Sequence, residues 1–173
     1  KIKPDFAKAH NNLANVLSTE GKNEEAISHY KMAVKIKPEY YEAHNSLGNG
    51  LFREQKTEEA ISHYKMAIKI KPDYAKSYVN LSAVYLNKNN FKLSLKTLNT
   101  LESINAKHPL LHYNFACYYA LLGNIPKGID SLKKAIANGY KNHQNLDTDP
   151  DLENLRQNPQ FNELRSLLLA QHS

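Results

Sequence analysis

The chain has 173 residues, 41% of them hydrophobic and 23% charged, with a net charge of +6. No apolar run approaches the roughly 18 to 20 residues of a membrane span, and no charged-then-apolar leader opens the chain. Cys117, the single cysteine, excludes an internal disulfide and a cysteine-based zinc site, and a cytoplasmic setting fits such a chain.

In chain order, KIKPDF opens the sequence at Lys1 and returns as KIKPEY and KIKPDY, so that Pro4, Pro38 and Pro72 stand 34 residues apart. Residues 1–6 therefore read as the tail of a preceding repeat. Frames at 7–40, 41–74, 75–108 and 109–142 then follow without an insertion. Within them, position 7 is Leu13, Leu47, Leu81 and Phe115, position 11 is Leu17, Leu51, Tyr85 and Tyr119, and position 24 is Tyr30, Tyr64, Leu98 and Leu132. Small residues hold position 8 (Ala14, Gly48, Ser82, Ala116) and position 20 (Ala26, Ala60, Ser94, Gly128). Large apolar groups at 7, 11 and 24 fill the space between two antiparallel helices, and the small ones permit their approach.

The turns are legible too. Gly21, Asn89 and Gly123 suit a left-handed helix end, where Gln55 is a departure that should cost a little. Asn23 and Thr57 are expected to cap the second helix of their repeats, and Pro109 and Pro126 to stand in first turns. Lys31, Lys35, Lys37 and their copies Lys65, Lys69 and Lys71 alternate with apolar residues at helical spacing and read as a solvated helix face, which makes nucleic acid an unlikely partner. Repeats one and two share 23 of 34 aligned residues, while three and four have drifted. Such uneven similarity points to a recent duplication at the N-terminal side or to a chain assembled from more than one source, natural or engineered. Beyond 142 the period stops. Asp149-Pro150 and Asn158-Pro159 start two further helices, and residues 143–173 read as capping helices over the last apolar face.

This pattern resembles the tetratricopeptide-repeat family. The resemblance implies an all-α fold, a right-handed superhelix of antiparallel helix pairs forming an α-solenoid, and a protein-interaction role rather than an enzymatic one. It also implies that positions 2, 5, 6, 9, 12 and 13 of each first helix line a concave groove. There the chain carries Asn11, Asn12, Asn15, Asn45, Asn49, Arg53, Lys76, Asn80, Asn87, Tyr113 and Asn114. Asparagine is a poor helix former, so a row of it on one face needs a reason. Its amide donates to a carbonyl and accepts from an N–H at once, the complement of an extended peptide backbone. Asn12, Asn80 and Asn114, with Ser46 as a gap, resemble the asparagine ladder of the O-GlcNAc transferase-type repeats. The chaperone-tail clamp of other family members matches only at Asn15 and Lys76.

No catalytic, metal or cofactor site is expected. His10, His44 and His112 share position 4, and His29 and His63 share position 23, but equivalent positions in successive repeats are separated by a helix step of about 8–10 Å, too far for one ion. Cys117 has no histidine one turn away to activate it. Asp147, Asp149 and Asp151 alternate like calcium ligands but lack the glycine and distal glutamate of a calcium loop. In repeat four the groove turns apolar, to receive either a ligand's hydrophobic anchor or the chain's own tail. The sequence is thus read as a module holding an extended peptide in its groove. It serves alternatively as the substrate-recruiting region of a larger, glycosyltransferase-like enzyme, or as a scaffold that self-associates through its uncapped N-terminal end.

Overall fold

The structure is a computed structural model describing residues 4–170. Lys1, Ile2 and Lys3 of the expected preceding-repeat tail lie outside them, and Pro4 to Phe6 are already helical. The described residues contain helices and no strand. The chain divides into two compact units, Lys1–Val84 and Tyr85–Ser173.

The first unit holds α1 (Pro4–Thr19), α2 (Asn23–Ile36), α3 (Tyr41–Arg53), α4 (Thr57–Ile70) and most of α5 (Ala75–Asn87). α1 packs on α2 and α3 on α4, and α2 also packs on α3. The close approaches are set by glycine: a Cβ on Gly48 would stand 2.6 Å from the ring of Tyr64, and one on Gly50 2.9 Å from Ile27. Tyr30, Tyr64, Leu47 and Leu51 are buried as their positions require. Leu13 is not. It is 46% exposed, against 1% for Leu47, 5% for Leu81 and 8% for Phe115, because no described helix precedes α1 to cover that face.

The second unit contains α6 (Phe91–Ile104), α7 (Pro109–Leu121), α8 (Ile125–Ala137) and the tail. The tail runs α9 (His143–Thr148), a 3-10 turn (Pro150–Leu152), α10 (Glu153–Arg156) and α11 (Pro159–Ala170). The periodicity did not reveal α9, whose cap is Asn142, accepting from Asn145 N–H at 3.2 Å. Asp149 and Asn158 cap as expected, accepting from the N–H of Asp151 (3.0 Å) and Gln160 (2.9 Å). Leu146, Leu152, Leu155, Phe161 and Leu168 are buried, and the 3-10 turn and α10 lie on α7. A Cβ on Gly128 would meet Leu155 at 2.7 Å, so the cap fits a notch that only glycine leaves.

Each first helix ends the same way. Gly21, Gln55, Asn89 and Gly123 all have positive φ (77°, 59°, 54° and 70°), and the next N–H bonds back to the carbonyl of Leu17, Leu51, Tyr85 or Tyr119 at 2.8 to 2.9 Å. That next residue both closes one helix and begins the following one. The cap therefore falls on Lys22, Lys56, Asn90 and Asn124, and the expectation for Asn23 and Thr57 was one residue late. Asn90 and Asn124 accept from the N–H three residues on, whereas Lys22 and Lys56 make no side-chain cap bond. The lysine face of α2 and α4 is solvated except at its end, where Lys37 lies over Tyr40 (5.5 Å) and Lys71 over Tyr41 (4.8 Å).

Candidate functional site

The asparagines of the first unit are organised by tyrosine. Tyr30 donates to Asn15 Oδ1 and Tyr64 to Asn49 Oδ1, each at 2.8 Å, so position 24 anchors position 9 in both repeats. Burial raises the pKa of both phenols, which keeps them donors. Asn80 joins across the repeat boundary, its Nδ2 donating to Asn49 Oδ1 (2.8 Å) and Asn45 Oδ1 (3.0 Å). Ser77 adds a bond to Asn45 Oδ1 at 3.0 Å.

These bonds use one end of each amide. Asn49 spends its oxygen and Asn80 its nitrogen, so Asn49 Nδ2 and Asn80 Oδ1 take no part in the network. Both residues line a depression of about 300 Å³ together with Phe52, Arg53, Tyr64 and Val84. Arg53 sits at its rim and donates to Ser18 Oγ at 2.6 Å. An immobilised donor and acceptor beside a guanidinium form a site for a polar, anionic or backbone-like group.

The preceding repeat lacks the matching bonds. Asn11 Oδ1 is buried without a partner, since the positions equivalent to Asn80 and Ser77 are Ser46 and Ala43. The gap in the asparagine row thus leaves an orphaned acceptor. Asn12, Asn15, Lys76 and Asn87 are exposed, while Asn11, Asn45 and Asn114 are buried. Those three therefore lie within the packing instead of on an open surface.

Tyr113 is also buried, because repeat four's apolar stretch is covered by the chain's own tail. Tyr113 donates to Asp149 Oδ2 at 2.6 Å and stacks on Tyr140 with centroids 4.5 Å apart. Asn154 Nδ2 adds a bond to the Ala120 carbonyl at 2.9 Å. Arg156 ties the tail together through the Leu146 carbonyl (3.0 Å), the Asp149 carbonyl and Glu153 (2.6 Å). Asp147, the first of the alternating aspartates, pairs with Arg165 at 2.5 and 2.9 Å, and Arg165's hydrogen bond holds its pKa down. Cys117 Sγ, Asp149 and Asp151 come within 4.8 Å of one another, but both Asp149 oxygens are already taken by Tyr113 and the Asp151 N–H. Burial, then Asp149 and Asp151, push the Cys117 thiol up, the reverse of an activated nucleophile.

Sequence reasoning passed over the tyrosines, taken as core, although their signal was present. The two repeats with Tyr at position 24 have Asn at position 9, and the two with Leu98 and Leu132 have Ala83 and Cys117 there. It also compared histidines only between repeats, whereas the structure pairs them within one: His10 with His29 and His44 with His63.

Antiparallel helix pairs at a fixed 34-residue period define a helical-repeat fold. Profiles described as tetratricopeptide repeat match residues 7–40 and 75–108, and one described as TPR repeat matches 48–89. The chain belongs to the tetratricopeptide-repeat family. Among solved structures it is similar to TTC0263, a thermophilic TPR protein of Thermus thermophilus, with a TM-score of 0.71 and 23% identity over 95% of this chain and 97% of that one. MamA from Desulfovibrio magneticus RS-1 gives 0.71 at 20% identity, covering 98% of each chain. YrrB, a TPR protein with an unusual peptide-binding site, gives 0.63 at 16% identity over 94% and 89%. A chloroplastic protein of Arabidopsis thaliana is 32% identical over 75 residues, 40% of this chain, and the match spans 22% of that relative's length. No helix among the described residues is long and apolar enough to cross a membrane.

Proposed function

We propose that the chain is a non-enzymatic interaction module that holds an extended peptide segment against its first helices through asparagine amides. The observation that carries this reading is the pair Asn49 and Asn80, fixed by Tyr64 and Asn45 with one donor and one acceptor left over beside the depression. A peptide unit offers the matching carbonyl and N–H. Arg53 and Lys76 favour an acidic segment, and Asn12 and Asn15 extend the polar track into the first repeat. Of the residues matching an asparagine ladder, Asn12 and Asn80 reach solvent and carry the proposal, while Asn114 is enclosed. That the similar YrrB structure is titled for a peptide-binding site supports the class of ligand.

The test is a fluorescence-anisotropy titration of acidic and neutral peptide libraries. At about 0.5–1.5 kcal/mol for each hydrogen bond, Asn12→Ala with Asn80→Ala should weaken binding by about five- to 150-fold. Unchanged affinity in a variant that keeps its helical circular dichroism would overturn the ladder.

One feature favours assembly as a second activity. Ala9, Asn12, Leu13 and Val16 form an exposed stripe on α1, whereas Ala43, Leu47 and Gly50 at equivalent positions are buried, with α2 packed on α3. Association through this face would appear in light scattering as a mass that rises with concentration and falls back to monomer in Leu13→Glu. A constant monomer mass removes this reading and leaves the peptide proposal standing.

A further inference from the structure

Within the first unit, α1 and α2 bring His10 Nδ1 to 2.9 Å from His29 Nδ1, and α3 and α4 bring His44 Nδ1 to 3.0 Å from His63 Nδ1. The rings stack at 5.1 and 5.2 Å with tilts of 29° and 30°, so the two pairs are the same device repeated. Two imidazoles can share such a contact only if one nitrogen carries a proton and the other a lone pair. For His44, with both rings neutral, the tautomer follows from its Nε2, which stands 2.9 Å from the Pro38 carbonyl, an acceptor only. The His44 proton is therefore on Nε2, its lone pair is on Nδ1, and the shared proton belongs to His63. A lone pair on one nitrogen, with the other N–H anchored to a backbone carbonyl, is the arrangement of a metal-ligating histidine.

The spacing selects among metals. Two nitrogens about 2.0 Å from one ion and 3.0 Å from each other subtend about 95° at it, a cis edge of a tetragonal complex, whereas a tetrahedral ion would spread them to about 3.3 Å. Tetragonal nitrogen ligation belongs to Cu2+ and Ni2+. Around the second pair, Glu59, one helical turn before His63, acts favourably on a cation, while Lys31 opposes it. Glu25 stands one turn before His29 in the same way. His10, His29 and His63 are half-buried, leaving the open coordination positions to water.

We propose that each of the first two helix pairs carries a two-histidine chelate for a tetragonal divalent ion, Cu2+ or Ni2+, which replaces the proton now shared by the two Nδ1 atoms. The displaced proton is taken up at the other ring nitrogen of the histidine that carried it, for the second pair His63 Nε2, so both ligands stay neutral imidazoles, no net proton is released and no electron is transferred. The expectation that the histidines hold no metal compared neighbouring repeats, whereas these ligands meet inside a repeat. Repeats three and four supply internal controls. Tyr78 and His112 keep the position-4 bond, to the carbonyls of Pro72 (2.8 Å) and Ala106 (2.7 Å), but position 23 is Thr97 or Ser131 and no second imidazole is present.

The chain is titrated with CuCl2 and NiCl2 by calorimetry in two weakly coordinating buffers of different ionisation enthalpy, with electron paramagnetic resonance of the Cu2+ form. Two equivalents per chain, a binding enthalpy that is the same in both buffers at a pH where the imidazoles are neutral, and an axial spectrum with nitrogen splitting are expected. His29→Thr and His63→Thr borrow the residue of repeat three, and His44→Tyr keeps the carbonyl bond as Tyr78 does, so these variants should fold. Each should weaken its site by at least about tenfold, since disturbing merely a ligand's support costs about 10–100-fold. His112→Gln should change neither stoichiometry nor these affinities. Equal binding in the parent chain and in the folded His29→Thr/His63→Thr double variant would overturn the proposal and assign any uptake to isolated histidines.

Discussion

Replacing Gln55 by glycine should stabilise the protein. Gln55 has φ 59° at the end of α3, where two of its three equivalents are Gly21 and Gly123 at 77° and 70°. The left-handed region costs an L-residue about 1–2 kcal/mol, and glycine gives back about 0.4–1 kcal/mol through the greater freedom of its unfolded chain. Gln55 is exposed, and the bonds at this helix end come from the backbone: Gln55 N–H to Phe52 (3.0 Å) and Lys56 N–H to Leu51 (2.9 Å). The net gain is therefore about 0.5–1 kcal/mol, or about 1–4 °C in the melting temperature of a chain this size. Urea and thermal midpoints followed by circular dichroism measure it. Gln55→Asn should give an intermediate gain, as Asn89 tolerates the same conformation, and Gln55→Ala none. A lower midpoint for Gln55→Gly, or an equal rise for Gln55→Ala, would refute the argument from backbone strain.

Three other substitutions follow from the same comparison of repeats. Lys56→Asn installs the cap that Asn90 and Asn124 provide and should add about 1 kcal/mol, read from the urea midpoint; no gain would mean the α4 start is capped in some other way. Ser46→Asn supplies Asn11 Oδ1 with the donor that Asn80 gives Asn45 and should raise stability by about 1 kcal/mol, with Ser46→Ala giving no such rise. Leu155→Ala empties the notch over Gly128 at a cost of about 2–5 kcal/mol and loosens the tail over Cys117. Alkylation of the buried, proton-bearing Cys117 by iodoacetamide should accordingly be slow in the parent chain and faster in this variant, and equal rates would separate the thiol's protection from the tail.

The helix pairs were legible because independent signals agree: the apolar spacing and the small residues at positions 8 and 20 in all four, and the glycine or asparagine turn in all but the second, which has Gln55. Boundaries were less so. Asn23 and Thr57 are good capping residues, yet the backbone makes Lys22 and Lys56 serve two helices at once, and side-chain preference cannot override that geometry. The candidate site was half legible. Spacing placed Asn49 and Asn80 on the right face, but which end of each amide is free depends on Tyr64 and Asn45, whose reach across helices has no local signature. Tyr113 was misplaced because the sequence offered two occupants for its apolar surroundings, and only the path of the tail, set by Asp149 and Arg156, decides between them.

The contrast between the bare stripe on α1 and the sealed face of α7 gives the chain a direction of growth. A further 34-residue copy placed ahead of residue 7 meets a surface already shaped for it, with Leu13 and Val16 where Leu47 and Gly50 receive α2. A copy placed after residue 142 must first displace Asp149 from Tyr113 and Leu155 from Gly128. Among the described residues, the α1 face would thus take a neighbouring helix without disruption, while the α7 face would not.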